Sequence, residues 1–230
     1  MDSFSLTRKL VVAAHAGLAG ALVGAAALHL GWAKQVDTVR NVFSDYALSD
    51  GADQVFAGTV ACLSMGSTAL VAGLVRSRLP VGAPAIVLLG AWCGGLALAV
   101  VFPTDTPGVP TIEGLVHRYA AGGAVAALPA ATLLIARRLG RRPGWETTAR
   151  ALRRTSWASV AGCVAFMCAH LCVMTPDPTP LVQEIGSWLG LAERITLALE
   201  MSLLFILAGA VAANREGRLA GAVAASREGR

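Results

Sequence analysis

The sequence predicts an all-α polytopic membrane bundle of about six transmembrane helices, with both termini cytoplasmic. Three observations carry that expectation. Hydrophobic residues make up 55% of the 230-residue chain, charged residues 14%, and the mean hydropathy is +0.62, values foreign to a soluble domain of this size. Six apolar stretches each approach the ~20 residues that a helix needs to cross ~30 Å of hydrocarbon. When the chain is threaded back and forth through them, fifteen of the 19 Lys and Arg residues fall on one face, leaving Lys34, Arg40, Arg118 and Arg194 on the other. Lys/Arg bias in short loops sets orientation, so the Arg-rich face is expected in the cytoplasm.

The first stretch, Leu10–Trp32, follows Arg8 and Lys9. Its apolar run exceeds the ~7–15 residues of a signal-peptide core, which favours a retained span even though Ala25, Ala26 and Ala27 imitate a cleavage site. Gly17, Gly20 and Gly24 form a small-residue stripe where another helix can approach closely. An acidic connection with Asp37, Asp45 and Asp50 leads to the second stretch, Gln54–Val75, and a short turn from Arg76 to Pro80 leads to the third, Val81–Phe102. Pro84 falls in the first turn of that helix, where a missing N–H costs little. The fourth stretch, Leu115–Ala136, carries Gly122, Gly123 and Ala126 as an expected contact face and Pro129 as an expected bend. A long Arg-rich connection, broken by Arg142-Pro143-Gly144, precedes the fifth, Ser156–Thr175, and the sixth spans Leu191–Ala213. The chain thus divides into a transmembrane domain over 1–213 and a basic cytoplasmic tail over 214–230, expected to be mobile or a frayed helix.

A net charge of +5 could suggest nucleic acid, but the Arg excess sits where anionic lipid headgroups attract it, so no nucleic-acid partner is expected. Cys62, Cys93, Cys163, Cys168 and Cys172 all lie within predicted spans without a CxxC pair and read as small packing residues. The Gly and Ala faces leave a homo-oligomer open.

Three segments carry a resemblance: Phe43-Ser44-Asp45-Tyr46-Ala47-Leu48; Phe102-Pro103-Thr104-Asp105-Thr106-Pro107-Gly108 with Gly114-Leu115-Val116-His117-Arg118; and Gly190-Leu191-Ala192-Glu193-Arg194. In these the chain resembles the bacterial membrane family of domain of unknown function 998 (DUF998). The resemblance implies a compact bundle of about six helices in a bacterial plasma membrane. It brings no reaction with it, so it assigns no catalytic residue.

Candidate chemistry comes from the residues themselves. His29, His117 and His170 lie at similar depth near the acidic boundary and could form a layer, with Asp45, Asp105 and Glu113 the nearest acids. Three histidines and a carboxylate suit zinc, and two facing histidines suit haem. The alternative is that each imidazole bonds to a neighbouring helix. No motif requires a cofactor. Asp105 and His117 are candidate catalytic groups, with His117 and His170 expected to face one another and Asp105 to close over them. Asp45, Arg118 and Glu193 are candidate substrate-binding groups, although Asp and Ser/Thr side chains also serve as helix caps and turn residues, and Arg118 could pair with Glu113 or Asp105. Glu200 is the single acid expected in the bilayer, roughly 13 Å deep, where a carboxylic side chain normally faces the bundle interior. It is a candidate catalytic acid, with a purely structural hydrogen bond to backbone or to Ser67 as the alternative.

The leading functional expectation is an outward-facing polar vestibule serving a membrane-embedded enzyme, one that acts on a lipid or isoprenoid-like substrate by hydrolysis or acid-initiated cyclisation. The alternative is a non-catalytic carrier, sensor or accessory protein for a small solute. A serine hydrolase lacks its Gly-x-Ser-x-Gly elbow, and a Mg²⁺-dependent prenyl-diphosphate enzyme lacks paired acids.

Overall fold

The computed structural model describes the backbone of residues 3–106 and 108–228 and the side chains of residues 5–106 and 108–217. Pro107 of the second resemblance segment lies outside the described residues. Seven α-helices are described: α1 (Ser3–Gly31), α2 (Ala52–Ser77), α3 (Ala83–Val101), α4 (Ile112–Leu139), α5 (Glu146–Val173), α6 (Pro180–Gly186) and α7 (Leu189–Glu228), with a 3₁₀ turn at Phe43–Leu48. Among the described residues six helical segments are long and apolar enough to cross a membrane, with the short α6 running into the last of them. This is the polytopic all-α architecture the hydropathy predicts. Being even in number, the crossings return the chain to the face from which it started.

Consecutive helices pack side by side, α1 on α2, α2 on α3, α3 on α4 and α4 on α5, and α7 closes the ring against α5 and α1. α7 also reaches α2 and α4, so it packs against four of the other spans. Leu203, Leu204, Leu207 and Ala208 on it are fully buried, with Leu18, Leu74, Leu128 and Leu152 among the fully buried side chains around them. The outer surface is apolar as well, with Val23, Leu30, Val87 and Val101 largely exposed. Only 17–44% of each span's most apolar window is buried, so the remainder needs lipid rather than water.

Small residues set the closest approaches. A Cβ on Gly17 would lie 2.6 Å from Gly66 Cα, so α1 and α2 touch backbone to backbone, and Gly20 and Gly24 continue that contact along Cys62 and Thr59. The expected contact face on α4 is placed differently. Gly122 and Gly123 have nothing within 4 Å, and the close approach to α3 runs instead through Ala120 and Ala124 against Gly95. Glycine lets backbones meet, but the rotation of α4 is set by burial of Ala124, Ala127, Leu128 and Ala131. Pro84 sits in the first turn of α3 as expected, and α4 continues as one helix through Pro129. α7 likewise runs on as helix past Ala213 to Glu228, where the tail was expected to begin. Near its Arg-rich end the Asn214 amide donates to the Ser77 carbonyl at 2.7 Å, which fastens α7 to the end of α2.

Candidate functional site

Polar side chains gather in three places. The first is at the acidic end, where the connection between α1 and α2 folds back over the start of α7. Arg194 Nε donates to His29 Nε2 at 2.9 Å, and Arg194 Nη1 donates to the carbonyls of Asn41 at 2.6 Å and Gly190 at 3.0 Å. Glu193 accepts from the Phe43 amide at 2.5 Å, and the Leu191 amide donates to Val39 O at 3.0 Å. His29 Nδ1 lies 2.7 Å from the Ala25 carbonyl, which can only accept. That bond takes Nδ1 and leaves Nε2 to accept from Arg194, so both ring nitrogens are occupied. Tyr46 is fully buried beneath the guanidinium, which stands 5.9 Å from the ring centroid. Asp45 Oδ2 accepts from the Val42 amide at 3.1 Å and so closes the turn that carries it. Burial raises the Asp45 carboxyl above its ordinary range, against hydrogen bonds from Asn41 and Val42 and the charge of Arg194.

The second place is the corner between α3 and α4. His117 is buried, and its Nδ1 lies 3.1 Å from Ala99 O and 2.9 Å from Phe102 O. It therefore donates to carbonyls that the end of α3 leaves unpaired. Asp105 Oδ1 accepts from the Thr111 hydroxyl at 2.7 Å and the Thr111 amide at 2.9 Å, while Thr111 Oγ1 in turn caps α4 by accepting from Gly114 N at 3.0 Å. Gly114 is required here because a Cβ would occupy the space of the Asp105 carboxyl group. Arg118 Nη2 stands 3.6 Å from Asp105 Oδ2. The Thr111 hydroxyl, and behind it the Thr111 amide, Arg118 and His117, hold the Asp105 carboxyl below the usual range despite desolvation.

The third place is inside the bundle, where α4, α5 and α7 meet. Thr132 Oγ1 on α4 and Ser156 Oγ on α5 are 2.7 Å apart, both fully buried. The antiparallel register set by this pair places Val125 opposite Cys163 two turns away, and the Cys163 thiol lies 3.7 Å from Val125 O. That carbonyl is the one Pro129 leaves without its helical donor. On the other flank of α5, Gly162 packs on Thr196: a Cβ there would come within 2.6 Å of Thr196 Oγ1. One turn further along α7 from Thr196, Glu200 lies within electrostatic reach of Cys163 on α5. Ser159 is fully buried with its hydroxyl bonded to the Cys163 thiol one turn along α5, and Glu200 is 1% exposed with no hydrogen-bond partner on either oxygen.

Glu200 therefore points inward, as its depth demands. The hydrogen bond to Ser67 is not formed; neither Glu200 oxygen has a partner, and Ser67 Oγ instead accepts from Trp92 Nε1 at 3.0 Å. The histidine layer is not assembled for a metal either. His29 spends Nε2 on Arg194, His117 spends Nδ1 on the end of α3, and the His170 ring lies 6.1 Å from that of Phe166 on its own helix. Among the described residues no three His, Cys, Asp or Glu side chains are placed to hold a metal ion. Of the proposed substrate-binding trio, Asp45 and Glu193 share the first cluster, whereas Arg118 belongs to the second with Asp105 and His117.

A family model described as a protein of unknown function, DUF998, matches residues 15–210. The chain belongs to DUF998. No curated protein and no solved structure matches it. The DUF998 match covers all three polar groups, and the segments that carry the resemblance build the first two. The Phe43–Leu48 turn is bonded to Gly190–Arg194, and the Phe102 and Gly114–Arg118 segments form the α3–α4 corner. Sequence reasoning gave no site role to Arg194, Ser159 or Cys163 in this DUF998 protein. Arg194 had a signal, as one of four basic residues on its face; Ser159 had none beyond the register of α5 on α7.

Proposed function

We propose that this DUF998 protein is a proton-linked carrier of a small solute, set in a bacterial plasma membrane with its Arg-rich end and both termini in the cytoplasm, and that Glu200 is the group that takes up and releases the proton. The observation that carries this reading is the Glu200 carboxyl, 1% exposed on a helix that packs against four other spans and bonded to no donor. An acid at the centre of a membrane helix costs about 2.5–3.5 kcal/mol, a cost ordinarily offset by a partner or retained for a pathway. Glu200 has no such partner among the described residues. Eleven residues into α7, it lies about 16 Å from the acidic end. Glu193 and Thr196 precede it by two turns and one turn, and the bonded flap of residues 38–48 covers that end of the helix. A carboxyl so placed is neutral when protonated and tolerates the apolar interior. Once ionised, it favours arrangements that bring water or a counter-charge to it, and this preference couples protonation to conformation.

The enzyme reading has one observation in its favour: an unpartnered acid in an apolar interior is also what protonation of a lipid or isoprenoid-like substrate needs. The two readings separate in reconstituted liposomes. A carrier moves protons inward along an imposed pH gradient together with a solute, Glu200→Gln abolishes the movement, and the solute emerges chemically unchanged.

A further inference from the structure

The outer side of α5 carries an uncovered stripe that is cationic at one end and apolar beyond it. At 3.6 residues per turn, Arg150, Arg153, Arg154, Trp157, Ala161 and Val164 fall within a face ~100° wide. All six are exposed, Trp157 to 57% and Val164 to 58%. The bundle uses the opposite side of the helix, where Ser156 meets Thr132 on α4 and Gly162 packs on Thr196 of α7. Among the described residues no carboxylate or carbonyl is bonded to these three guanidinium groups. The two ion pairs, Arg40 with Asp37 and Arg118 with Asp105, lie at the acidic end, and Glu146, one turn before Arg150, turns back to accept from the Gly144 amide at 3.1 Å. The apolar stretch of α5 begins at Ser156, so the arginines stand at headgroup level and Trp157 stands just inside the hydrocarbon boundary, where an indole is favoured. From Arg150 to Arg154 the helix rises only ~6 Å.

We infer that this stripe is a binding site for one anionic phospholipid of the leaflet at the Arg-rich end, its phosphodiester held by Arg150, Arg153 and Arg154, its glycerol backbone against Trp157, and an acyl chain running along Ala161 and Val164. Each part of the stripe selects a part of the occupant. Guanidinium forks bind phosphate oxygens bidentately, and three of them so close together attract a net negative headgroup while disfavouring the ammonium of a zwitterionic one. The Trp157 ring is apolar in body with a polar N–H, which suits the boundary between headgroup and chain. Ala161 lies one turn from both Trp157 and Val164 and leaves a shallow recess between those larger side chains, where methylenes can lie. A soluble phosphate or an acidic peptide would meet the arginines but leave Trp157 and Val164 uncovered. Arg138, across from Arg150 in the register set by Thr132 and Ser156, is placed differently: its guanidinium lies on Gly82, where a Cβ would come within 2.5 Å of Arg138 Cζ. The site does not rest on the proposed role of Glu200; only the choice of leaflet follows from the proposed orientation.

The test uses the full-length protein, delipidated in detergent and titrated with phosphatidylglycerol or phosphatidylethanolamine under native mass spectrometry, which counts the lipids retained. The expected result is one phosphatidylglycerol bound saturably, with at least ~tenfold preference over phosphatidylethanolamine. Combining Arg150→Gln, Arg153→Gln and Arg154→Gln should abolish that preference. Combining Arg8→Gln, Lys9→Gln and Arg76→Gln removes the same charge from α1 and α2 at the same end of the bundle and should leave the preference intact. If the first combination does not insert, the single changes decide: Arg150→Gln and Arg153→Gln should each lower phosphatidylglycerol affinity ~fivefold, the worth of one basic side chain at an anionic surface. Absence of a phosphatidylglycerol preference in the unaltered protein overturns the inference. Equal losses from the two combinations also overturn it, because they would mean general attraction to a basic face, as would unchanged affinity in both single variants.

Discussion

Replacing Arg194 by Ala should release the flap of residues 38–48 from α7 while leaving the rest of the bundle intact. The side chain donates three hydrogen bonds, to His29 Nε2, Asn41 O and Gly190 O. Bonds from a charged donor are worth about 1.5–3 kcal/mol each, but the Gly190 bond lies within α7 and contributes little to holding the flap. The two that cross between elements are not additive, and loss of the charge also relieves some desolvation, which brings the net to about 2–4 kcal/mol. Two contacts survive, the Glu193–Phe43 and Leu191–Val39 bonds, so the flap is loosened rather than detached. Local opening should then rise ~30-fold or more. Hydrogen–deuterium exchange in nanodiscs reads this directly: the Asn41, Asp45 and Ser49 amides, each bonded within the flap, should exchange faster by that factor while amides in the middle of α4 and α5 stay unchanged. Arg194→Lys should resemble Ala, since an ammonium cannot reproduce the separated Nε and Nη1 donors. Flap amides exchanging at the unaltered rate in Arg194→Ala would refute the idea that this side chain ties loop to helix.

Three further outcomes follow from the same structure. Asp45 is raised by burial, so its folded form binds a proton more readily than the unfolded chain; the stability it contributes is complete at pH below the unfolded carboxyl range and lost as pH rises through the folded value. Asp45→Asn, which keeps an oxygen for the Val42 amide, should therefore raise the melting temperature at pH 7 and leave it unchanged near pH 4; a lower melting temperature at pH 7 would contradict the sign. Gly17→Ala forces a methyl to within 2.6 Å of the Gly66 backbone and should cost about 1–3 kcal/mol, measured as a loss of monodisperse protein on heating, whereas Gly122→Ala meets open space and should cost nothing. Single cysteines in a Cys-free background at Thr106 and Gly144 should react with an impermeant reagent from outside and from the cytoplasm respectively, and the reverse pattern would invert the orientation.

Hydropathy alone was enough for the membrane architecture, because span length and the depletion of charge are imposed by the bilayer and do not depend on how the helices meet. The buried orientation of Glu200 was legible for the same reason: an acid at that depth has no stable place facing lipid. Helix rotation was not legible. Gly17, Gly20 and Gly24 lie on a contact face and Gly122 and Gly123 do not, although both sets look alike in sequence, because the choice is made by which neighbouring side chains need burial. The position of a histidine along its helix did not reveal its use. Ring nitrogens on His29 and His117 are committed to Arg194 and to the end of α3, contacts that depend on loop geometry. Asp105 and Asp45 proved to be fastened to local turns, the alternative that their Ser/Thr-rich surroundings had already offered. The pairing of Thr132 with Ser156 and of Cys163 with Val125 became visible only through the register of α5 against α4.

The central claim is that Glu200 exchanges a proton across the membrane interior. The most direct measurement is proton uptake by liposomes containing the purified protein and a trapped pH dye, driven by an imposed pH gradient, for the unaltered protein, Glu200→Gln and Glu200→Asp. The account predicts uptake by the unaltered protein, none above empty liposomes for Gln, and partial uptake for Asp, whose carboxyl is one methylene shorter. Equal uptake by a folded Gln variant, or none by any of the three, would contradict it.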